Sequence, residues 1–178
     1  MKSALSEGRT VLYSGPSFKS AKGQFKSVYW SARWFPVANT TGAQLGTWFD
    51  VRHPALSGFV TDDFTDWQWY SLAQGATIHA LKGLPKDYRP IALSVNDFHF
   101  SDFTSTMFEA LVGKGRLFVC GYDLSASSPE AKRLRACVCA YLSGKPAAGT
   151  VQMPESWIDE QFATVKAPNL SDTMYDVS

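Results

Sequence analysis

The segment His53–Leu72, HPALSGFVTDDFTDWQWYSL, concentrates the residue types that hold sugars. Trp67, Trp69, Tyr70, Phe59 and Phe64 stand among Asp62, Asp63, Asp66 and His53, with Trp48 just upstream. The apolar face of a pyranose stacks on an aromatic ring, and a neighbouring carboxylate or imidazole takes its hydroxyls. Trp48, His53, Asp66, Trp67 and Trp69 are therefore the candidate carbohydrate-binding residues. Packing is the competing use of the same side chains. Trp67 and Trp69 are two apart, so on a helix they face different directions and only one can pack fully inward. Asp66 suits an N-cap, and the aromatic directly after it, Trp67, is expected to turn inward and anchor Asp62–Leu72 to a sheet. Asp62 and Asp63 are read as solvated or capping acids. A glycosidase needs two carboxyls at a set separation across a sugar, and spacing in a loop does not supply that. His53 is expected to cap or hydrogen-bond a turn, with a pocket role as the alternative.

Other reactive types fit bland roles. Cys120 ends an apolar run before Gly121, but Phe118 and Tyr122 stand where a nucleophile elbow carries small residues. Cys137 and Cys139 are two apart on an expected helix and point away from each other, so they do not share a metal. All three cysteines are read as small buried apolar residues. His53, His79 and His99 have no i, i+4 partner and no Cys-x-x-Cys beside them. Gly113-Lys114-Gly115 lies between two apolar runs without the glycine spacing or following Ser/Thr of a phosphate loop, and is expected to be a hairpin turn whose glycines supply positive φ. Glu109, inside an apolar strand, needs a partner if buried, and Asp123 is placed to cap a turn. No catalytic residue, metal site or cofactor is assigned.

The elements that must position these groups read as follows. Ala4 and Leu5 before Gly8 form the last turn of a helix. Val11–Tyr13, Leu45–Val51, Thr77–Leu81, Ile91–Val95 and Arg116–Cys120 are expected strands, the last paired with Thr106–Val112. Lys19–Gln24 is expected to be a loop and Phe25–Trp34 an irregular extended segment. Pro54–Phe59 holds one helical turn, and Trp67–Leu72 forms a short helix. Ser128 and Pro129 start the strongest helix, whose stripe is Ala131, Leu134, Val138, Tyr141 and Leu142. Pro154–Phe162 forms a last short helix. Alternating strands and helices predict an α/β domain with a three-layer, mixed and mostly parallel sheet and a late hairpin. The boundaries expected are 1–146 for that domain and 147–178 for a C-terminal extension with one short helix and a frayed tail.

The chain has 178 residues, 45% apolar and 19% charged, enough for one real core. A net charge of +1 gives no field to gather nucleic acid or an anionic membrane. No apolar run approaches the ~20 residues of a membrane span. Met1-Lys2 leads into polar SALSEGRT, so a free-standing protein is expected to be cytoplasmic and a piece of an exported enzyme periplasmic.

The ordered set Gly46-Thr47, His53-Pro54-Ala55-Leu56, Phe59, Asp66-Trp67-Gln68-Trp69, Leu84-Pro85, Arg89-Pro90-Ile91, Phe108-Glu109, Val112-Gly113-Lys114-Gly115-Arg116-Leu117, Cys120 and Asp123-Leu124 resembles the C-terminal region of family 2 glycoside hydrolases. These are the β-galactosidase-like enzymes of gut Bacteroidetes, and the match runs from about Val11 to Leu142. The resemblance implies a flavodoxin-like, class I glutamine-amidotransferase-like fold without the amidotransferase nucleophile. It implies a non-catalytic accessory domain, serving assembly or architecture of an enzyme that acts on plant or host glycans. Its partners would be the catalytic barrel of the parent hydrolase or a second copy. A (β/α)8 barrel needs ~250 residues, so the catalytic carboxylates lie elsewhere and the isolated chain is not expected to be an enzyme. The alternatives are a carbohydrate-binding module using exposed tryptophans, with a glycan as partner, and a stand-alone α/β hydrolase.

Overall fold

A computed structural model describes residues 1–15, 17, 20–22, 24–25, 43–96 and 103–162. Its centre is β7 (Thr104–Val112), buried almost throughout, its polar residues included. A strand flanked and covered on all sides has no solvent face, so it loses the polar alternation of a half-buried strand. β8 (Gly115–Cys120) folds back on it as an antiparallel hairpin, in register from Val112↔Gly115 to Met107↔Cys120. On the other side β6 (Ala92–Asn96) is antiparallel to β7, and β4 (Ala43–Phe49) antiparallel to β6. β5 (Thr77–Ala80) pairs with the start of β7 and continues the line of β8, the Thr77 amide donating to the Gly121 carbonyl at 2.8 Å. β1 (Thr10–Tyr13) lies parallel to β8 at one edge. β2 (Ser20–Lys22), β3 (Gln24–Phe25) and β9 (Gln152–Met153) bring the sheet to nine strands among the described residues.

Core clusters form on both faces of β7 and β8. On one, Met107, Phe118 and Cys120 meet α2 (Trp67–Ala73), α3 (Pro129–Leu142) and a 3-10 turn at Pro54–Leu56. On the other, Phe108, Ala110, Val112, Leu117 and Val119 meet Leu5 of α1 (Lys2–Ser6) and Trp157 and Ile158 of α4 (Ser156–Phe162). The described part of the C-terminal extension thus supplies β9 and α4 to the same sheet and core. α3 begins as its residues dictate: the Ser128 hydroxyl accepts from the Ala131 amide at 3.2 Å, and Ala131, Leu134, Val138 and Tyr141 are buried. Among the described residues no helix is long and apolar enough to cross a membrane.

The expectation of a three-layer, flavodoxin-like or amidotransferase-like fold with a mostly parallel sheet is overturned. The long pairings β4–β6, β6–β7 and β7–β8 are antiparallel, and among the described residues only the helix α3 exceeds seven residues. A parallel pair needs a crossover of a dozen or more residues. β6, β7 and β8 follow one another too closely for that, so they return as hairpins. Smaller expectations also change. Within Lys19–Gln24, expected to be a loop, lie β2 and the start of β3. β4 ends at Phe49 rather than Val51. Cys120 is buried as expected, but Cys137 is half-buried and Cys139 exposed, because they fall beside rather than on the α3 stripe. Only Gly113 of the hairpin turn has positive φ (58°). Gly115 is needed for space, since a Cβ there would stand 2.6 Å from Leu5 Cα. The expectation for Phe25–Trp34 falls, after Phe25, outside the described residues.

Candidate functional site: an exposed aromatic groove

Asp66 caps α2 as its position predicts, its Oδ1 accepting from the Gln68 amide at 3.0 Å. The helix so placed separates its two tryptophans. Trp69 is fully buried, stacked on Phe49 with ring centroids 4.0 Å apart and an interplanar angle of 16°. Phe59 and Tyr122 close around it, and its indole N–H donates to Thr61 Oγ1 at 2.7 Å. Trp67 is 89% exposed. The expected inward position of Trp67 is therefore reversed. About 200° of helix turn separates the two residues, and stacking of Trp69 on Phe49 decides which one faces the core.

The segment before α2 runs along the edge of β4. The Phe49 amide donates to the Asp63 carbonyl at 2.9 Å, and the Thr47 amide to Thr65 Oγ1 at 2.7 Å. Thr65 Oγ1 in turn donates to the Thr47 carbonyl. These bonds bring Phe64, Asp66, Trp67 and Tyr70 against Leu45 and Trp48 of β4 and Val95 of β6, around a groove of about 790 Å³. Leu45, Trp48, Phe64, Trp67, Tyr70 and Val95 all expose at least a third of their surface. Contiguous exposed aromatics of this kind mark interaction sites on soluble proteins.

Of the five sequence-derived candidates, Trp48, Asp66 and Trp67 converge on this groove. Trp69 lies beneath it in the core, and His53 belongs to a different place. His53 Nδ1 accepts from the Ala55 amide at 3.2 Å, capping the 3-10 turn, which leaves the proton on Nε2 facing Glu109 Oε1 at 3.4 Å. Glu109 is the hub of a buried network. Arg116 donates twice to its Oε2, from Nε at 3.2 Å and Nη2 at 3.1 Å; Tyr141 and Thr150 hydroxyls donate to Oε1 at 2.6 and 2.8 Å. Burial by itself pushes the Glu109 carboxyl up. Hydrogen bonds from His53, Tyr141 and Thr150 and the charge of Arg116 outweigh that and hold it down to about 2. The Tyr141 hydroxyl is pushed up to about 12 by burial and by the carboxylate it serves.

This cluster has the residue types of an active site but not the arrangement. Both His53 nitrogens are engaged, so the ring has no free lone pair to act as a base. The Cys120 thiol, the one buried candidate nucleophile weighed from sequence, is pushed up to about 12 by burial and stays protonated. Among the described residues no group of three or more His, Cys, Asp or Glu is placed to hold a metal ion.

Sequence reasoning missed Leu45 and Val95 in the groove and Arg116, Tyr141 and Thr150 around Glu109. One signal was available for Arg116. A two-residue turn at Gly113-Lys114 puts Glu109 and Arg116 on the same face of the hairpin as diagonal neighbours. Among known proteins, a family model described as a domain of unknown function, DUF8487, matches residues 1–163. No curated protein matches the chain.

Proposed function

This chain belongs to the DUF8487 family, and from its groove we propose that it is a non-catalytic accessory domain that docks a partner polypeptide. The observation that carries this reading is Trp67, 89% exposed on an aromatic and aliphatic surface. Interfaces are enriched in Trp, Tyr and Phe, and a few such anchors supply most of the binding energy. The sequence resemblance to the C-terminal region of β-galactosidase-like family 2 glycoside hydrolases supports a particular partner, the catalytic barrel of such an enzyme. Self-association through the same face is the other form of this reading.

Carbohydrate binding is the second reading, favoured by Asp66 beside the exposed Trp67 ring. The rest of the lining argues for protein. A pyranose needs polar groups converging around its hydroxyls, whereas Leu45, Trp48, Phe64 and Val95 make much of this lining apolar.

The test pairs the purified chain with the separately expressed catalytic region of a β-galactosidase-like family 2 hydrolase. Analytical ultracentrifugation follows binding, and p-nitrophenyl galactoside and galacto-oligosaccharides serve as sugar probes. Association that disappears in Trp67→Ala, with no turnover by the chain alone, is the expected result. Robust turnover abolished by one carboxylate substitution would overturn the non-catalytic reading. Trp67-dependent sugar binding without protein association would replace docking by glycan recognition.

A further inference from the structure

The groove also carries information about the chemistry of what fills it. We propose that the docked polypeptide presents a cationic side chain, arginine first, between apolar ones. This rests on the docking reading and names the partner's chemistry within it.

Three observations converge. The first is charge. Among the described residues Asp66 is the sole charged one lining the groove, and Asp62 and Asp63 stand exposed in the same segment, beside Phe64. None of the three is in an ion pair among the described residues. The whole chain carries +1, so this negative rim is local and acts at contact range rather than as a long-range field. The second is the platform. Trp67 offers an open ring face, with the Tyr70 ring at 6.2 Å and tilted by 50° to it. A cation over a tryptophan face is held by the ring quadrupole, and a planar guanidinium can stack there while its N–H groups reach a carboxylate. The third is the backbone. The segment Asp63–Thr65 already takes hydrogen bonds along the β4 edge at Thr47 and Phe49. Strand addition at that stretch is blocked, so side chains must carry recognition. Leu45, Phe64 and Val95 then accept the apolar neighbours of the cation.

The experiment uses two synthetic peptides, acetyl-Leu-Arg-Leu-Ser-Leu-Arg-Leu-amide and the same sequence with Glu in place of Arg. Each is titrated into the full chain, by calorimetry and tryptophan fluorescence, at low and high salt. The Arg peptide should bind at least about tenfold tighter than the Glu peptide, with the gap narrowing at high salt. The triple variant Asp62→Asn, Asp63→Asn, Asp66→Asn should remove the preference, since Asn at 66 still caps α2. Trp67→Ala should remove binding with an unchanged melting temperature. Equal binding of both peptides, lost in Trp67→Ala, overturns the cationic partner and leaves the docking reading standing. Binding of neither peptide, with galacto-oligosaccharides bound in a Trp67-dependent way, overturns both.

Discussion

Trp67 and Trp69 are the same side chain two positions apart, and only the direction each takes from α2 separates their roles. Trp69 fills the space between Phe49, Phe59 and Tyr122. Its replacement by Ala should cost roughly 3–5 kcal/mol, the range for emptying a buried aromatic site. Trp67→Ala should change stability by less than about 0.5 kcal/mol, as at other surface positions. Urea unfolding of the two variants side by side checks both; a large loss in Trp67→Ala would refute its outward placement. Glu109 carries the second residue-scale prediction. Its carboxyl has an ordinary value of 4.5 and is held at about 2 in the fold. A lowered folded value means that the stabilisation is complete above about pH 4.5 and drains away as pH falls toward 2. The loss should be roughly 3 kcal/mol across that window, read from melting temperatures in the wild type. Glu109→Gln should flatten that slope and, by leaving the buried Arg116 unpaired, cost about 3–5 kcal/mol at neutral pH.

Short elements here depend on single local groups. α2 spans only Trp67–Ala73, too short to hold itself together without tertiary packing. Asp66 closes its first turn, so Asp66→Ala should destabilise by about 1 kcal/mol, while Asp66→Asn should be nearly neutral. Chemical denaturation distinguishes them, and equal losses would show that charge rather than the cap matters. The β7–β8 hairpin depends on two glycines for different reasons. Gly113 takes the positive φ of the turn, as two-residue hairpins require. Gly115 lies against α1, where an added Cβ would meet backbone atoms of Leu5 and Arg9. Gly115→Ala should therefore displace α1 and raise amide exchange of Leu5 and Arg9, whose backbone hydrogen bonds lie there. Unchanged exchange would refute that close approach. These elements were legible because their determinants are local. Ser128 and Pro129 start α3, Asp66 starts α2, and the glycine-bearing turn joins β7 to β8.

At the scale of the molecule, the order of strands and the groove come from contacts between residues far apart in sequence. Thr47 meets Thr65, and Trp48 pairs with Phe64. Leu45 and Val95 join Tyr70 in one groove although β4, β6 and α2 are separate runs of chain. Periodicity reports which face of one element is apolar but not which neighbour covers it. The same short apolar runs satisfy a parallel or an antiparallel sheet, and the antiparallel result follows from the short connections around β6, β7 and β8. Self-association or docking through the groove is likewise a property of the assembled surface, tested by the Trp67 experiments above. The sequence by itself determined where α2, α3, the 3-10 turn and β5 begin and that β7 and β8 form a hairpin. It also determined that Glu109 would need a partner and that one of the two neighbouring tryptophans would face outward. Only the tertiary structure decided which one, because the choice depends on Phe49 and Tyr122 arriving from other strands and loops to stack on Trp69. Only it brought Trp48, Asp66 and Trp67 together while sending His53 to Glu109, because both groupings join residues whose separation in sequence is closed by packing alone.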